Sequence, residues 1–127
     1  MRILVVGAGG VGSAIAAIAT RREFFEHMTL ADVDVTRAAR AVGGDPRFAA
    51  ASVDASDARS VESLAREVRA DVVVNACDPR LNPPIFDGAF AAGCSYVDMA
   101  MHLSHPHPER PYSEPRTTWD RPWRLAS

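Results

Sequence analysis

Ile3-Leu4-Val5-Val6-Gly7-Ala8-Gly9-Gly10-Val11-Gly12 is the stretch on which the fold turns. Its first four residues are apolar, rich in β-branched side chains and ended by glycine. That fits a strand buried on both faces rather than a secretory leader, because the apolar run is too short and breaks at Gly7. From Gly10 the period changes. Val11, Ala14, Ile15, Ile18 and Ala19 recur at helical spacing, which predicts a helix over Gly10 to Arg22. At the junction, Gly7, Gly9 and Gly12 satisfy G-x-G-x-x-G. Gly7 permits a tight turn out of the strand, Gly9 lets backbone approach a ligand with no Cβ in the way, and Gly12 lets the helix lie close to the sheet. The helix start, including Gly10 and Val11, offers N–H groups and partial positive charge to a pyrophosphate.

The same alternation continues outward. Met28 to Ala31 reads as a second strand, closed by Asp32, and Thr36 to Val42 as a short helix stopped by Gly43-Gly44. Phe48 to Val53 is a weak third strand. Ser56 or Asp57 can cap the next helix, whose apolar face is Val61, Leu64, Ala65 and Val68. Val72-Val73-Val74, within Asp71 to Asn75, is the clearest strand of the chain. Asn82 before Pro83-Pro84 opens a fourth helix, Gly93 ends it, and Ser95 to Asp98 is a fifth strand. Strict β-α alternation predicts an α/β, doubly wound parallel sheet of Rossmann type. The expected strand order is 3-2-1-4-5. After Met99 the texture changes, with Pro106, Pro108, Pro111, Pro115 and Pro122 in a stretch of little periodicity. The expected organisation is one domain over residues 1–103 and an extended, irregular C-terminal tail over residues 104–127.

The acid after the second strand completes the motif's context. Asp32 stands where a carboxylate reaches the adenosine ribose hydroxyls, so the glycine turn reads as a site for a nicotinamide dinucleotide. A carboxylate there repels a 2′-phosphate, and the next residue is Val33 rather than Arg; NAD is favoured over NADP. Arg37 and Arg40, at the start of the second helix, are the residues that could reach a 2′-phosphate instead. Asp54 and Ala55 follow the third strand on the same carboxyl edge, where an acid can touch the adenine amino group or simply cap a helix with Ser56. Asn75-Ala76-Cys77 follows the fourth strand on that edge, where small residues let the nicotinamide ribose pass close to backbone.

Composition removes other functions. All fourteen basic side chains are Arg, so no Schiff base, lysine general base or Walker-type phosphate lysine is available. A net charge of −2 argues against a nucleic-acid partner. No apolar run is long enough for a membrane span. Two cysteines, Cys77 and Cys94, make no disulfide framework and are expected at opposite edges of the sheet. Cys77 has no histidine placed to activate it, so it reads as a small packing residue. His102, His105 and His107 lie among prolines with nothing to fix ligand geometry, so no metal is expected. A cytoplasmic protein is the default expectation.

The combination resembles the N-terminal NAD(P)-binding domain of saccharopine dehydrogenase-like oxidoreductases. The resemblance rests on the Gly7–Gly12 turn, Ala31-Asp32, Val53-Asp54-Ala55, Asp71-Val72-Val73-Val74-Asn75-Ala76 and Gly93-Cys94-Ser95-Tyr96-Val97-Asp98, and extends to Pro106–Tyr112. It implies hydride transfer with an amino acid bearing a secondary amine. It also implies a second α/β domain that supplies substrate-binding and acid/base residues. That domain is absent from the sequence, and Val33 stands where the family often carries Arg. A truncated product, or a change of reading frame near residue 116, would account for the altered texture of the tail. No catalytic residue is therefore assigned. Two readings stand: the coenzyme domain of an oxidoreductase, completed by a substrate domain on a separate chain or by a homodimer, and a stand-alone NAD-binding regulatory module without catalysis.

Overall fold

Residues 1–99 are described by the computed structural model. The expected tail, its histidines and the boundary at residue 103 lie outside the described residues. The apolar run at the start forms β1 (Arg2–Val6). It pairs in parallel with β2 (His27–Asp32) on one side and β4 (Val72–Asn75) on the other. β3 (Phe48–Ser52) extends the sheet beyond β2, and β5 (Ser95–Asp98) beyond β4. The order is β3-β2-β1-β4-β5. The fold is therefore the expected Rossmann-like α/β sheet.

Helices α1 (Gly10–Ala19), α2 (Val35–Val42), α3 (Ala58–Glu67) and α4 (Asn82–Ala91) connect the strands. Alternate residues of β1 feed two cores. Ile3 and Val5 join Met28, Leu30, Ala16, Ala19 and Ala38 beneath α1 and α2. Leu4 and Val6 join Val73, Val61, Leu64 and Ile85 beneath α3 and α4. A strand buried on both faces has no polar side to show, which is why Ile3–Val6 reads as a continuous apolar run. The reversal of strand order lies between β1 and β4, so the crevice of this fold opens above their carboxyl ends.

Most element boundaries follow local chemistry. The Asp34 side chain accepts from the N–H groups of Thr36 and Arg37 and starts α2 one residue before the expected Thr36. Asp57, not Ser56, caps α3 by accepting from Arg59 N–H at 2.9 Å. A 3-10 turn at Pro79–Leu81, capped by Asp78, leads into α4. α1 stops at Ala19 rather than Arg22. Thr20 closes it, and Arg21 and Arg22 make tighter bonds to Ile18 and Ala19 carbonyls. The Arg47 guanidinium, stacked 4.7 Å from the Phe25 ring centroid, then donates to the carbonyls of Arg22 and Thr20. An end whose carbonyls are taken from outside does not need another helical turn. Among the described residues no helix is long and apolar enough to cross a membrane.

Candidate functional site: a crevice above the glycine turn

β1 delivers the chain into the glycine turn, and each motif glycine meets a different environment. Gly7 has φ +107°, and a Cβ there would lie 2.9 Å from both the Ala76 carbonyl oxygen and Cys77 Sγ. Gly12 is buried against the turn itself, so a Cβ would overlap the Gly7 carbonyl oxygen. At Gly9 and Gly10 a Cβ would meet nothing within 4 Å. Gly7 and Gly12 are therefore glycines for packing reasons. Gly9 faces open space, and no atom of the protein demands a glycine there.

The start of α1 is also left open chemically. Asp34, Asp57 and Asp78 each cap the element that follows them, but Gly9 at the start of α1 brings no capping side chain. The first N–H groups of a helix have no intrahelical partner, so an uncapped start is a ready anion site.

Asp32 ties the end of β2 to this turn. It is 8% exposed. Its Oδ2 accepts from Ala8 N–H at 2.9 Å and its Oδ1 from Asp34 N–H at 3.0 Å. Burial alone would raise the carboxyl pKa. The N–H groups of Asp34, Ala8 and Val33, with the Arg37 charge, outweigh it and hold Asp32 below the usual carboxylate value. Arg37 Nη1 is 3.9 Å from Asp32 Oδ2, and its side chain is well exposed. Val33 is 79% exposed beside them.

β3 and β4 supply the flanking walls. Asp54 Oδ1 accepts from the N–H and the hydroxyl of Ser56, which lowers its pKa through those bonds. Cys77 Sγ lies 3.3 Å from the Val6 carbonyl oxygen. Burial, then the charges of Asp32 and Asp78, push its thiol up. A protonated, half-buried thiol is a packing group rather than a nucleophile.

The result is an open crevice of about 400 Å³. It gathers Gly7, Gly9, Asp32, Val33, Asp54, Ala55, Ala76 and Cys77 from the residues marked out in the sequence. Gly10, Val11 and Gly12 do not line it. Gly12 lies beneath the turn, Val11 is exposed at the start of α1, and Gly10 has open space around it. Asn75 does not line it either; at 1% exposure, with its amide fully bonded, it supports the wall from behind. Arg37, Ser56, Asp78 and Leu81 join the lining. Arg37 had a signal, since it lies in the first turn of the helix after Asp32. Leu81 had none, because the 3-10 turn that carries it is not written in any period. Among the described residues no cluster could hold a metal ion.

The glycine turn, the acid at the end of β2 and the order of strands occur together in many proteins, and comparison narrows the set. The profile of the family described as "Saccharopine dehydrogenase NADP binding domain" matches residues 3–123. The chain belongs to this family. It is 30% identical over 101 residues to a carboxyaminopropylagmatine dehydrogenase of Synechocystis sp., covering 78% of this chain and 25% of that protein. It is 32% identical over 120 residues to a carboxynorspermidine synthase of Vibrio alginolyticus, covering 80% of this chain and 27% of that protein. The chain thus spans about a quarter of the length of these relatives. Saccharopine dehydrogenase (L-Glu forming) from Saccharomyces cerevisiae superposes with a TM-score of 0.62 at 17% identity, over 76% of this chain and 21% of that one. RSP, a Rex-family repressor, superposes with a TM-score of 0.58 at 18% identity, over 83% of this chain and 48% of that one. These two likenesses concern the fold alone.

Proposed function

We propose that this chain is the dinucleotide-binding domain of an oxidoreductase, holding a nicotinamide coenzyme for hydride transfer with an amino acid that bears a secondary amine. The observation that carries this reading is the uncapped start of α1 beside Gly9, where nothing beyond the adjoining residues lies within 4 Å of a Cβ position. That cradle fits a pyrophosphate, which the turn's N–H groups and the helix dipole would hold. Asp32 and Val33 would flank the adenosine ribose, Asp54 and Ala55 the adenine side, and Ala76 and Cys77 the nicotinamide ribose. Gly10, Val11 and Gly12 would act through backbone, and Asn75 from behind the wall. When bound, the nicotinamide would supply the hydride chemistry; the protein's part is binding, orientation and charge.

Substrate class is drawn from membership of the family. The relatives' names, a carboxyaminopropylagmatine dehydrogenase and a carboxynorspermidine synthase, are in keeping with a carboxylated amine. Groups that bind substrate and move its proton would come from a further domain, in the same polypeptide, on a separate chain or through a homodimer. The protein would work in the cytoplasm.

NAD is the coenzyme favoured by charge, since Asp32 is held as a carboxylate and would face the adenosine ribose. NADP is the second reading, supported by the family's description and by Arg37 on the crevice wall. A regulatory NAD-binding module without catalysis is supported by a different observation. Among the described residues the crevice holds no histidine, and Cys77 is its one thiol, held protonated. Titration of the chain with NADH and with NADPH, followed by nicotinamide fluorescence, tests these readings. Saturable binding that Gly9→Val or Asp32→Ala weakens supports a coenzyme domain. Tighter NADPH binding that Arg37→Ala abolishes overturns the NAD preference. Binding of neither sinks the reading.

A further inference from the structure

The Tyr96-Val97-Asp98 segment of β5 does not line the crevice, yet its polar atoms connect to it. Asn75, at the carboxyl end of β4, pairs in register with Asp98 on β5 and Val6 on β1. Its Nδ2 donates to Asn82 Oδ1 at 2.7 Å and to Tyr96 Oη at 3.0 Å. Its Oδ1 accepts from Cys77 N–H at 2.8 Å. Tyr96 Oη in turn lies 2.9 Å from Asp98 Oδ2. The Phe86 ring packs edge-on to Tyr96, with centroids 5.3 Å apart.

The directions in this chain follow from proton counting. An ionised carboxylate only accepts, so the Tyr96 hydroxyl donates to Asp98. A phenol has one proton, so toward Asn75 its oxygen accepts. The NH2 end of Asn75 must therefore face Tyr96, which leaves Oδ1 for Cys77 N–H. A flipped amide would set its oxygen against the Tyr96 oxygen and its NH2 against Cys77 N–H, losing both bonds in a buried place. Burial, reinforced by the Asp98 charge, pushes the phenol pKa well up, so the hydroxyl keeps its proton.

We propose that Tyr96 and Asp98 are positioning residues for the nicotinamide half of the site: they orient the Asn75 amide, which holds Cys77 and the bend at 76–78 as the β4 wall of the crevice. The inference rests on the dinucleotide reading given above. β2 and β4 flank β1 on opposite sides, so the β4 wall stands about 10 Å from the β2 wall at ordinary strand spacing. A change passed through Asn75 therefore acts first on the β4 wall and least on the adenosine end at Asp32.

The test uses the full chain with Tyr96→Phe, Asp98→Ala and Asp98→Asn, read in two ways. Amide hydrogen exchange without any nucleotide reports the Cys77 N–H directly. Titrations with NADH and with ADP, which lacks the nicotinamide ribose, separate the whole site from its ADP half. In Tyr96→Phe and Asp98→Ala, exchange at Cys77 quickens about tenfold while Val5 and Val73 keep their protection. NADH affinity falls about three- to tenfold, the size expected for one lost hydrogen bond, and ADP affinity is unchanged. Asp98→Asn, which keeps an acceptor for the phenol, restores both readouts. Unchanged exchange at Cys77 overturns the proposal. So does quickened exchange at Val5 and Val73 with equal loss of both ligands, since Tyr96 would then serve stability alone. A chain that shows the Cys77 response but binds no NADH keeps the positioning role of Tyr96 and sinks the coenzyme reading instead.

Discussion

Gly12 lies against the carbonyl oxygen of Gly7, so closely that a methyl group on Gly12 would share its space. Gly9, between them, has no such neighbour. Gly12 and Gly9 therefore separate by experiment. Gly12→Ala forces the start of α1 away from the turn and costs about 1–3 kcal/mol or more in urea unfolding. Gly9→Val leaves stability within about 0.5 kcal/mol, because its backbone is extended at φ −76° and open to solvent. Dinucleotide binding is lost in both, but only Gly12→Ala shifts the unfolding midpoint. A large stability loss in Gly9→Val would show that an unseen contact, not a ligand, requires that glycine.

Asp32 makes the acid limb of the stability profile informative. Its folded pKa is depressed below the ordinary 3.8, so its contribution is fully present above that value and is lost as pH falls through the lower folded pKa. Asp32→Asn turns an NH2 toward the N–H of Ala8 or Asp34 and costs about 1–3 kcal/mol near neutrality. Urea unfolding between about pH 2 and pH 6 should show a shallower acid decline in Asp32→Asn than in the native chain. Parallel declines would mean that the carboxylate is not ionised and bonded as described.

Gly88 predicts a stability effect with no functional partner. It sits where α4 crosses α3, and a Cβ would lie 2.6 Å from Val61 Cβ and 2.7 Å from the Ala58 carbonyl oxygen. Although alanine is the better helix former, Gly88→Ala should destabilise the chain by about 1–3 kcal/mol. Thermal unfolding checks the sign. A gain in stability would show that α3 and α4 do not approach as closely as this.

The two thiols share a direction of shift but differ in their neighbours. Burial raises both above the ordinary thiol value of 9.0, so alkylation by iodoacetamide should be slow at neutral pH and quicken above about pH 9. Cys77 lines the crevice, whereas Cys94 precedes β5 at the opposite edge, with its Sγ 3.1 Å from the Ala70 carbonyl oxygen. Saturating NADH should protect Cys77 and leave Cys94 unchanged, as read by mass spectrometry of alkylated peptides. Equal protection of both would place the ligand elsewhere.

Much of this architecture was written locally. The apolar run Ile3–Val6, the helical spacing from Val11 to Ala19 and the glycines between them depend on a residue and its near neighbours. A sequence displays such relations directly, and strict alternation of the two periods leaves few ways to stack the layers. Asp32 belongs to the same class, because its place after the second strand needs only the period of that strand. Other features join residues far apart in the chain, through register and crossover. Asn75 reaches Tyr96 only because β4 and β5 pair Val73 with Tyr96 and Asn75 with Asp98. Arg47 reaches the carbonyls of Thr20 and Arg22 only because the approach to β3 returns beside the end of α1. Gly88 matters only where α4 meets Val61 of α3. The sequence by itself determined the elements, their order and the glycine turn with its acid. The tertiary structure alone decided that Asn75 stands behind the crevice rather than in it, that Leu81 lines its wall, and that Arg37 rather than Arg40 does. Side-chain position across a sheet depends on which strands become neighbours, and no local period records that choice.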